Sequence, residues 1–234
     1  MTSKLNAKKQ PLGKRLQKTT LSQRIAALFI IATAVTGFGL IGQGVYIKAK
    51  AVLAQVLLEK AWGRALAGEV APKAWAWADT WPVAKITVPR LKKSAVVLKG
   101  TSGEAMAFGP GHMAGTPMPG QPGTSIFAAH RDTHFAFLKN VKSGDIIDVT
   151  TKDNKRHTYI VSYMEVVEAS ASGIDPHAGG EGLALVTCWP FGERNPGPLR
   201  YVVHAVPVER SSSALTVAFK RTAIRSGEVM SLTR

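Results

Sequence analysis

The stretch Leu183-Ala184-Leu185-Val186-Thr187-Cys188-Trp189-Pro190-Phe191-Gly192 decides how the chain is read. Its first half is an aliphatic run ending in Thr187, which is a short buried strand by composition. Its second half breaks that pattern: Pro190 has no N–H to give to a ladder, and Gly192 favours a turn. The single cysteine of the chain stands at the junction. Reactive groups concentrate where a rigid strand gives way to a loop. Twelve residues after Cys188, Arg200 opens the β-type run Leu199–Val208, just past Asn195-Pro196-Gly197-Pro198. A gap of that size fits two adjacent antiparallel strands joined by a loop.

Working outward, Lys85–Val88, Ala95–Leu98, Ser125–Ala129, Asp145–Thr150 and His157–Val167 are also β-type. With the two runs above they make seven short strands, an antiparallel barrel or sandwich. Thr151-Lys152-Asp153-Asn154-Lys155 is a hairpin turn between Asp145–Thr150 and Arg156–Val167. Phe135–Val141 reads as one short helix. Residues 109–125 hold nine Gly or Pro in seventeen, an ordered-turn loop too irregular for a strand.

The charge is unevenly placed. The 234 residues carry 30 Lys+Arg against 15 Asp+Glu, a net +15, with 45% hydrophobic residues. That composition excludes a wholly disordered chain. One cysteine excludes an intrachain disulfide, a multi-cysteine zinc site and a thiolate-held iron–sulfur cluster. Residues 1–50 hold nine basic side chains and no acid, so over half of the net charge lies in the first fifth. No basic helix or aromatic-interleaved motif accompanies it, so nucleic acid is not an expected partner.

The basic block abuts an apolar run instead. Ile25–Ile47 is 23 residues without a formal charge, bounded by Arg24 and Lys48. As a helix it would reach roughly 34 Å, enough for a hydrocarbon core of about 30 Å. A cleaved signal peptide is the rival, with Ala49-Lys50-Ala51 as a loose cleavage site, but the run exceeds the usual length. The reading adopted is an uncleaved signal anchor holding membrane lipid through residues 25–47. Seven basic residues ahead of Ile25 keep the N-terminus cytoplasmic. The rest then lies beyond the inner membrane, in the periplasm. The segments are 1–24 basic, 25–47 transmembrane, 48–80 stalk or amphipathic helix, 81–208 β-barrel domain and 209–234 basic tail. The tail opens with Ser211-Ser212-Ser213 and frames a short helix about Ala214–Ile224. Trp75, Trp77 and Trp81 fit either an interfacial belt or a core edge.

Three groups stand at strand ends: Cys188, Arg200, and His130 after Ser125–Ala129. A thiolate can attack an amide carbonyl, a histidine can protonate the departing amine, and an arginine can stabilise the oxyanion or hold the peptide. Taken singly, each residue type also has an ordinary structural role.

Their order and flanks together resemble the sortase family of cysteine transpeptidases. The matching stretches are Ile86-Thr87-Val88-Pro89-Arg90-Leu91, Gly109-Pro110-Gly111-His112, Ala128-Ala129-His130-Arg131-Asp132-Thr133-His134-Phe135, Val186-Thr187-Cys188 and Pro198-Leu199-Arg200-Tyr201-Val202-Val203. With the N-terminal anchor, the chain is most similar to class GN sortases of Gram-negative bacteria. The resemblance implies a mostly β fold, an eight-stranded barrel with short helices. It implies His130, Cys188 and Arg200 as the catalytic set, and Thr187 in the substrate groove. Trp189 with Phe191 either shapes that groove or seals the barrel. His112 either touches substrate or caps the Gly/Pro loop. Thr187, Trp189 and His112 are the substrate-binding candidates. Two positions depart from the family pattern: Ala129 replaces the usual glycine, and Leu183-Ala184 the usual threonine-leucine. The implied reaction cleaves the Thr–Gly bond of an LPxTG-like C-terminal sorting signal on a secreted protein. It passes through a thioacyl enzyme to an amine acceptor, with no metal or other cofactor.

His134, four residues after His130, has helical metal-ligand spacing but no third ligand in sequence. Asp132 either orients an imidazole or pairs with Arg131. The alternatives to the sortase reading are an extracytoplasmic cysteine peptidase of another family and a non-catalytic binding module with an inert cysteine.

Overall fold

The computed structural model describes residues 20–193, 195 and 197–208. The expected basic tail 209–234, with its helix about Ala214–Ile224, and most of the basic segment 1–24 lie outside the described residues. Two units divide between Lys50 and Ala51.

Helix α1 runs Leu21–Leu66 and belongs to both units. Its first part is long and apolar enough to cross a membrane by length and composition. The Thr33 and Thr36 hydroxyls donate back to the carbonyls of Phe29 and Ala32, each at 2.9 Å, so neither leaves an unpaired polar group on the apolar surface. In the second unit, Leu58, Trp62 and Ala65 recur at helical spacing and pack with Val96 and Leu98. Residues 51–66 are therefore built into the outside of the barrel on one face, while Val52, Leu53 and Val56 on the same segment stay exposed. Trp75 meets Phe108 edge to face at 4.6 Å, Trp81 lies under Lys99 Nζ at 4.4 Å, and Trp77 is exposed.

The second unit is a closed eight-stranded barrel. Its strands are β1 Pro82–Val88, β2 Lys93–Lys99, β3 Gly111–His112, β4 Gly123–Ala128, β5 Ile146–Thr151, β6 Arg156–Glu168, β7 Glu181–Cys188 and β8 Leu199–Pro207. Neighbours around the barrel run β1-β2-β3-β4-β7-β8-β6-β5, and β5 closes on β1. Burial alternates along β1, because successive side chains point to opposite faces. The inward set includes Ile86, Phe127, Ile147, Val149, Tyr159, Leu185 and Val203, all essentially without exposure. Each such side chain contributes about 1.5–3 kcal/mol by leaving water.

Three features go beyond the sequence pattern. Residues 109–125 contain the two-residue strand β3, which bridges β2 to β4. The short helix α2, Gly103–Phe108, begins at Ser102, whose Oγ accepts from the Ala105 N–H at 3.1 Å. The barrel is not wholly antiparallel: β2 with β3 and β4 with β7 run parallel. The expected helix near Phe135–Val141 is a 3-10 segment, Ala136–Asn140.

Candidate active site

Cys188 and Arg200 are direct partners across β7 and β8. The flanking bond runs from the Trp189 N–H to the Leu199 carbonyl at 3.1 Å. That makes Cys188 and Arg200 a non-hydrogen-bonded pair, the kind whose Cα atoms stand only about 4.5 Å apart with side chains close on one face. Arg200 Nη1 donates to the carbonyls of Gly197 and Leu199 at 2.8 and 2.9 Å. The thiol is free and half-buried.

His130 arrives from the other side. In the parallel pair β4/β7, Ala128 sits beside Val186. The Ala129 N–H continues the ladder to the Val186 carbonyl at 3.2 Å. The shared register carries His130 to the level of Cys188, each two residues beyond that last pair. Phe127, Leu185 and Val203 point inward. Cys188 and Arg200 are an odd number of residues from their strand neighbours in that set and take the outward face. His130 follows β4, two residues past Ala128, and is exposed.

That outer face is a groove. Ile126, Val186 and Val202, each two or four residues from a candidate catalytic group, line a cavity of about 290 Å³ together with Arg200. The β6–β7 connection supplies the opposite wall through Ile174 and Pro176. It is tied down where the Thr124 N–H donates to the Pro176 carbonyl at 2.9 Å. Gly123 makes that close approach possible: its φ is +107°, and a Cβ there would meet the Pro176 carbonyl at 2.3 Å.

The substrate-binding candidates sit elsewhere. Thr187 is buried, and its Oγ1 donates to the Ala129 carbonyl at 2.7 Å, a strut between β7 and the residue before His130. Trp189 stacks on Tyr201 at 5.6 Å, and Phe191 meets both rings edge to face. Phe191 and Tyr201 pack against the barrel core, so this aromatic group closes the barrel end. Burial pushes the Tyr201 phenol upward, which keeps it neutral. The His112 ring is committed to its own turn, within 3.1 Å of Thr116 Oγ1 and the Pro117 carbonyl. Burial lowers its pKa. Met113 to Thr116, rather than His112, reach the cavity. The signal for the lining residues lies in the sequence: they share the parity of Cys188, His130 and Arg200 along their strands. Ala129, expected to stand where the family pattern has glycine, is buried and joins the main core.

Two neighbours of His130 complete the picture. Burial lowers the His134 pKa, and the neighbouring His130 lowers it further. The His134 Nε2 points at the Ala107 carbonyl at 3.5 Å. Among the described residues no group of three or more His, Cys, Asp or Glu converges in a way that would hold a metal. Arg131 is only 6% exposed. Its Nη2 donates to the Glu193 carbonyl and, at 3.1 Å, to the Asn195 carbonyl. Its Nε stands 3.5 Å from the exposed Asp132 carboxylate. Its Nη1 is buried with no hydrogen-bond partner among the described residues. An orphaned buried donor costs about 1–3 kcal/mol, more when charged.

A family model described as the sortase domain matches residues 86–208. The chain is 25% identical over 119 residues to sortase D of Bacillus subtilis (strain 168), covering 51% of this chain. It spans 60% of that protein's length. Among solved structures, the sortase D5 transpeptidase of Clostridium perfringens superposes with a TM-score of 0.53 at 21% identity, covering 67% of this chain and 99% of that one. A lid mutant of sortase A from Corynebacterium diphtheriae gives 0.50 at 22% identity, covering 67% and 94%. These two likenesses concern the fold.

Proposed function

Since this chain belongs to the sortase family, we propose that it is a membrane-anchored cysteine transpeptidase in which Cys188, His130 and Arg200 carry the reaction. The observation that carries this reading is the close, non-hydrogen-bonded pairing of Cys188 with Arg200. The reading is supported by the parallel register that brings the strand leading to His130 beside the strand of Cys188, and by the apolar groove that Arg200 helps to line.

In the first stage the Cys188 sulfur attacks the Thr–Gly carbonyl of an LPxTG-like sorting signal. The C–N bond breaks, His130 gives its proton to the leaving glycine amine, and a thioester to Cys188 forms. Arg200 neutralises charge developing on the carbonyl oxygen. In the second stage an acceptor amine attacks the thioester carbonyl and loses its proton to His130. The C–S bond breaks and the thiolate returns. The thioester conserves acyl-transfer potential, so the residues present suffice. The apolar cavity formed by Ile126, Val186 and Val202 suits the leucine and proline of such a signal.

The class GN assignment and the inner-membrane topology belong to the same reading. They are supported by the all-basic flank ahead of an apolar helix and by the barrel that follows it. The segment limits 1–24, 25–47, 48–80, 81–208 and 209–234 accompany it. Incubation of the protein with a sorting peptide, followed by mass spectrometry, tests the proposal. An acyl adduct on Cys188 is the expected product, and peptide cleavage without any such adduct would overturn the assignment.

A further inference from the structure

The loop from Trp189 to Pro198 joins Cys188 to Arg200, yet none of its described residues lines the apolar cavity. If the acyl half of the substrate occupies that cavity, the amine side of the reacting carbonyl faces away from it, toward this loop. The leaving amine departs there, and the acceptor arrives there. The loop has little burial of its own: Gly192, Glu193, Asn195 and Pro198 are exposed. Its aromatic base holds one end. Arg200 Nη1 holds the Gly197 carbonyl at the other. The middle is held by Arg131, through the Glu193 and Asn195 carbonyls.

We propose that Arg131 is a positioning residue for the acceptor step: its guanidinium holds the Glu193 and Asn195 carbonyls where they guide an amine to the thioester, and so sets the division between aminolysis and hydrolysis. This deepens the transpeptidase reading and rests on it. Arg131 follows His130 directly, so a single side chain ties the end of β4 to the loop between β7 and β8. Burial to 6% exposure leaves its contacts unscreened by water. A guanidinium offers a rigid planar fork that serves separate acceptors at once, which an ammonium does not reproduce. Its remaining buried Nη1 donor is left for one further oxygen at the same place. Water needs little guidance to reach a thioester, whereas a peptide amine must be oriented over several atoms. A slack loop therefore penalises the amine more than the water.

The test compares full-length wild type, Arg131→Lys and Arg131→Gln in detergent, with one sorting peptide as donor and either triglycine or hydroxylamine as acceptor. The readout is the ratio of aminolysis to hydrolysis product. It is a property of each acyl enzyme that turns over, so partial unfolding of a variant does not alter it. With triglycine the ratio falls about tenfold in Arg131→Gln and by less in Arg131→Lys, the scale of one charge-assisted hydrogen bond. With hydroxylamine, too small to need guidance, it stays within about twofold. An unchanged triglycine ratio overturns the proposal. So does an equal fall with both acceptors, or the loss of acyl-enzyme formation in both variants, because each places the effect outside acceptor guidance. Absence of a Cys188 adduct in the wild type instead strikes the transpeptidase reading itself.

Discussion

The inner and outer faces of β4, β7 and β8 share one backbone and carry different work. Inward, Phe127, Leu185 and Val203 are wholly buried and join the main core. Outward, Ile126, Val186 and Val202 leave a cavity between themselves and the β6–β7 connection. Beyond them on that face stand Cys188 and Arg200, with His130 just past the end of β4. Moving one residue along any of these strands exchanges a stability position for a chemistry position. The difference teaches that the core chiefly holds register here, because a slip by one residue would turn Cys188 into the barrel and Leu185 into water.

Substitutions three residues apart on β7 can break this contrast. Cys188→Ala on the outer face lowers peptide cleavage by about a thousandfold or more and leaves the melting curve in place. Turnover assays beside thermal denaturation would check both halves, and wild-type-like turnover would end the assignment of the nucleophile. Leu185→Ala on the inner face costs about 2–5 kcal/mol in denaturant unfolding, through lost transfer energy and the cavity left behind. The protein that stays folded keeps its KM for the donor peptide. If that KM rose in step with the lost stability, the two faces would not be separable.

Val186→Asp sharpens the contrast between the faces. It sets a carboxylate in the apolar groove and raises the KM for a sorting peptide about tenfold, with little change in stability because the position is only half-buried. The smallest effect lies away from both faces. Arg90 Nε and Nη2 donate to the two oxygens of Asp145 at 2.5 and 2.6 Å, and the Lys142 N–H adds a third bond at 2.9 Å. The Arg90 guanidinium, first among the causes, holds the Asp145 carboxyl below its ordinary range. A depressed carboxylate pKa stabilises the fold above the unfolded value of about 3.9 and loses that contribution as pH falls toward the folded value. Asp145→Asn should therefore flatten the acid limb of stability below about pH 4 while leaving cleavage near neutral pH unchanged. Melting temperature against pH for the two proteins would show it.

Much of the barrel was legible in sequence. The runs at 85–88, 95–98, 125–129, 145–150, 157–167, 183–188 and 199–208 each fall on a strand, since period and β-branched content are local properties. The hairpin about 151–155 followed from its turn residues. Strand β3 and helix α2 escaped because two and six residues are too few to show a period. The site was legible unevenly. The family resemblance places Thr187 in the groove, and Trp189 fits the groove or the barrel end; in the structure Thr187 bonds the Ala129 carbonyl and Trp189 stacks on Tyr201. Val186 and Val202 share the parity of Cys188 and Arg200, but an apolar side chain looks the same in a strand pattern whether it faces the core or a groove. Arg131 stands out in sequence only as a family match and a candidate partner of Asp132.

The chain alone determined that β7 and β8 are antiparallel neighbours, because the loop between Cys188 and Arg200 is short and loop length limits where a strand can go. It also determined an apolar N-terminal helix with a basic flank. Only the tertiary structure decided that the strand leading to His130 lies beside the strand that ends in Cys188, since that depends on a parallel pairing between strands 58 residues apart, as marked by Ala128 and Val186. It likewise decided the wall at Ile174 and Pro176 and the burial of Arg131 against two backbone carbonyls. The physical reason is common to all three. Alternation of side chains states which face a residue takes, but the strand it meets and the carbonyls it finds are set by how the closed barrel shares out buried area and backbone hydrogen bonds, which no local pattern records.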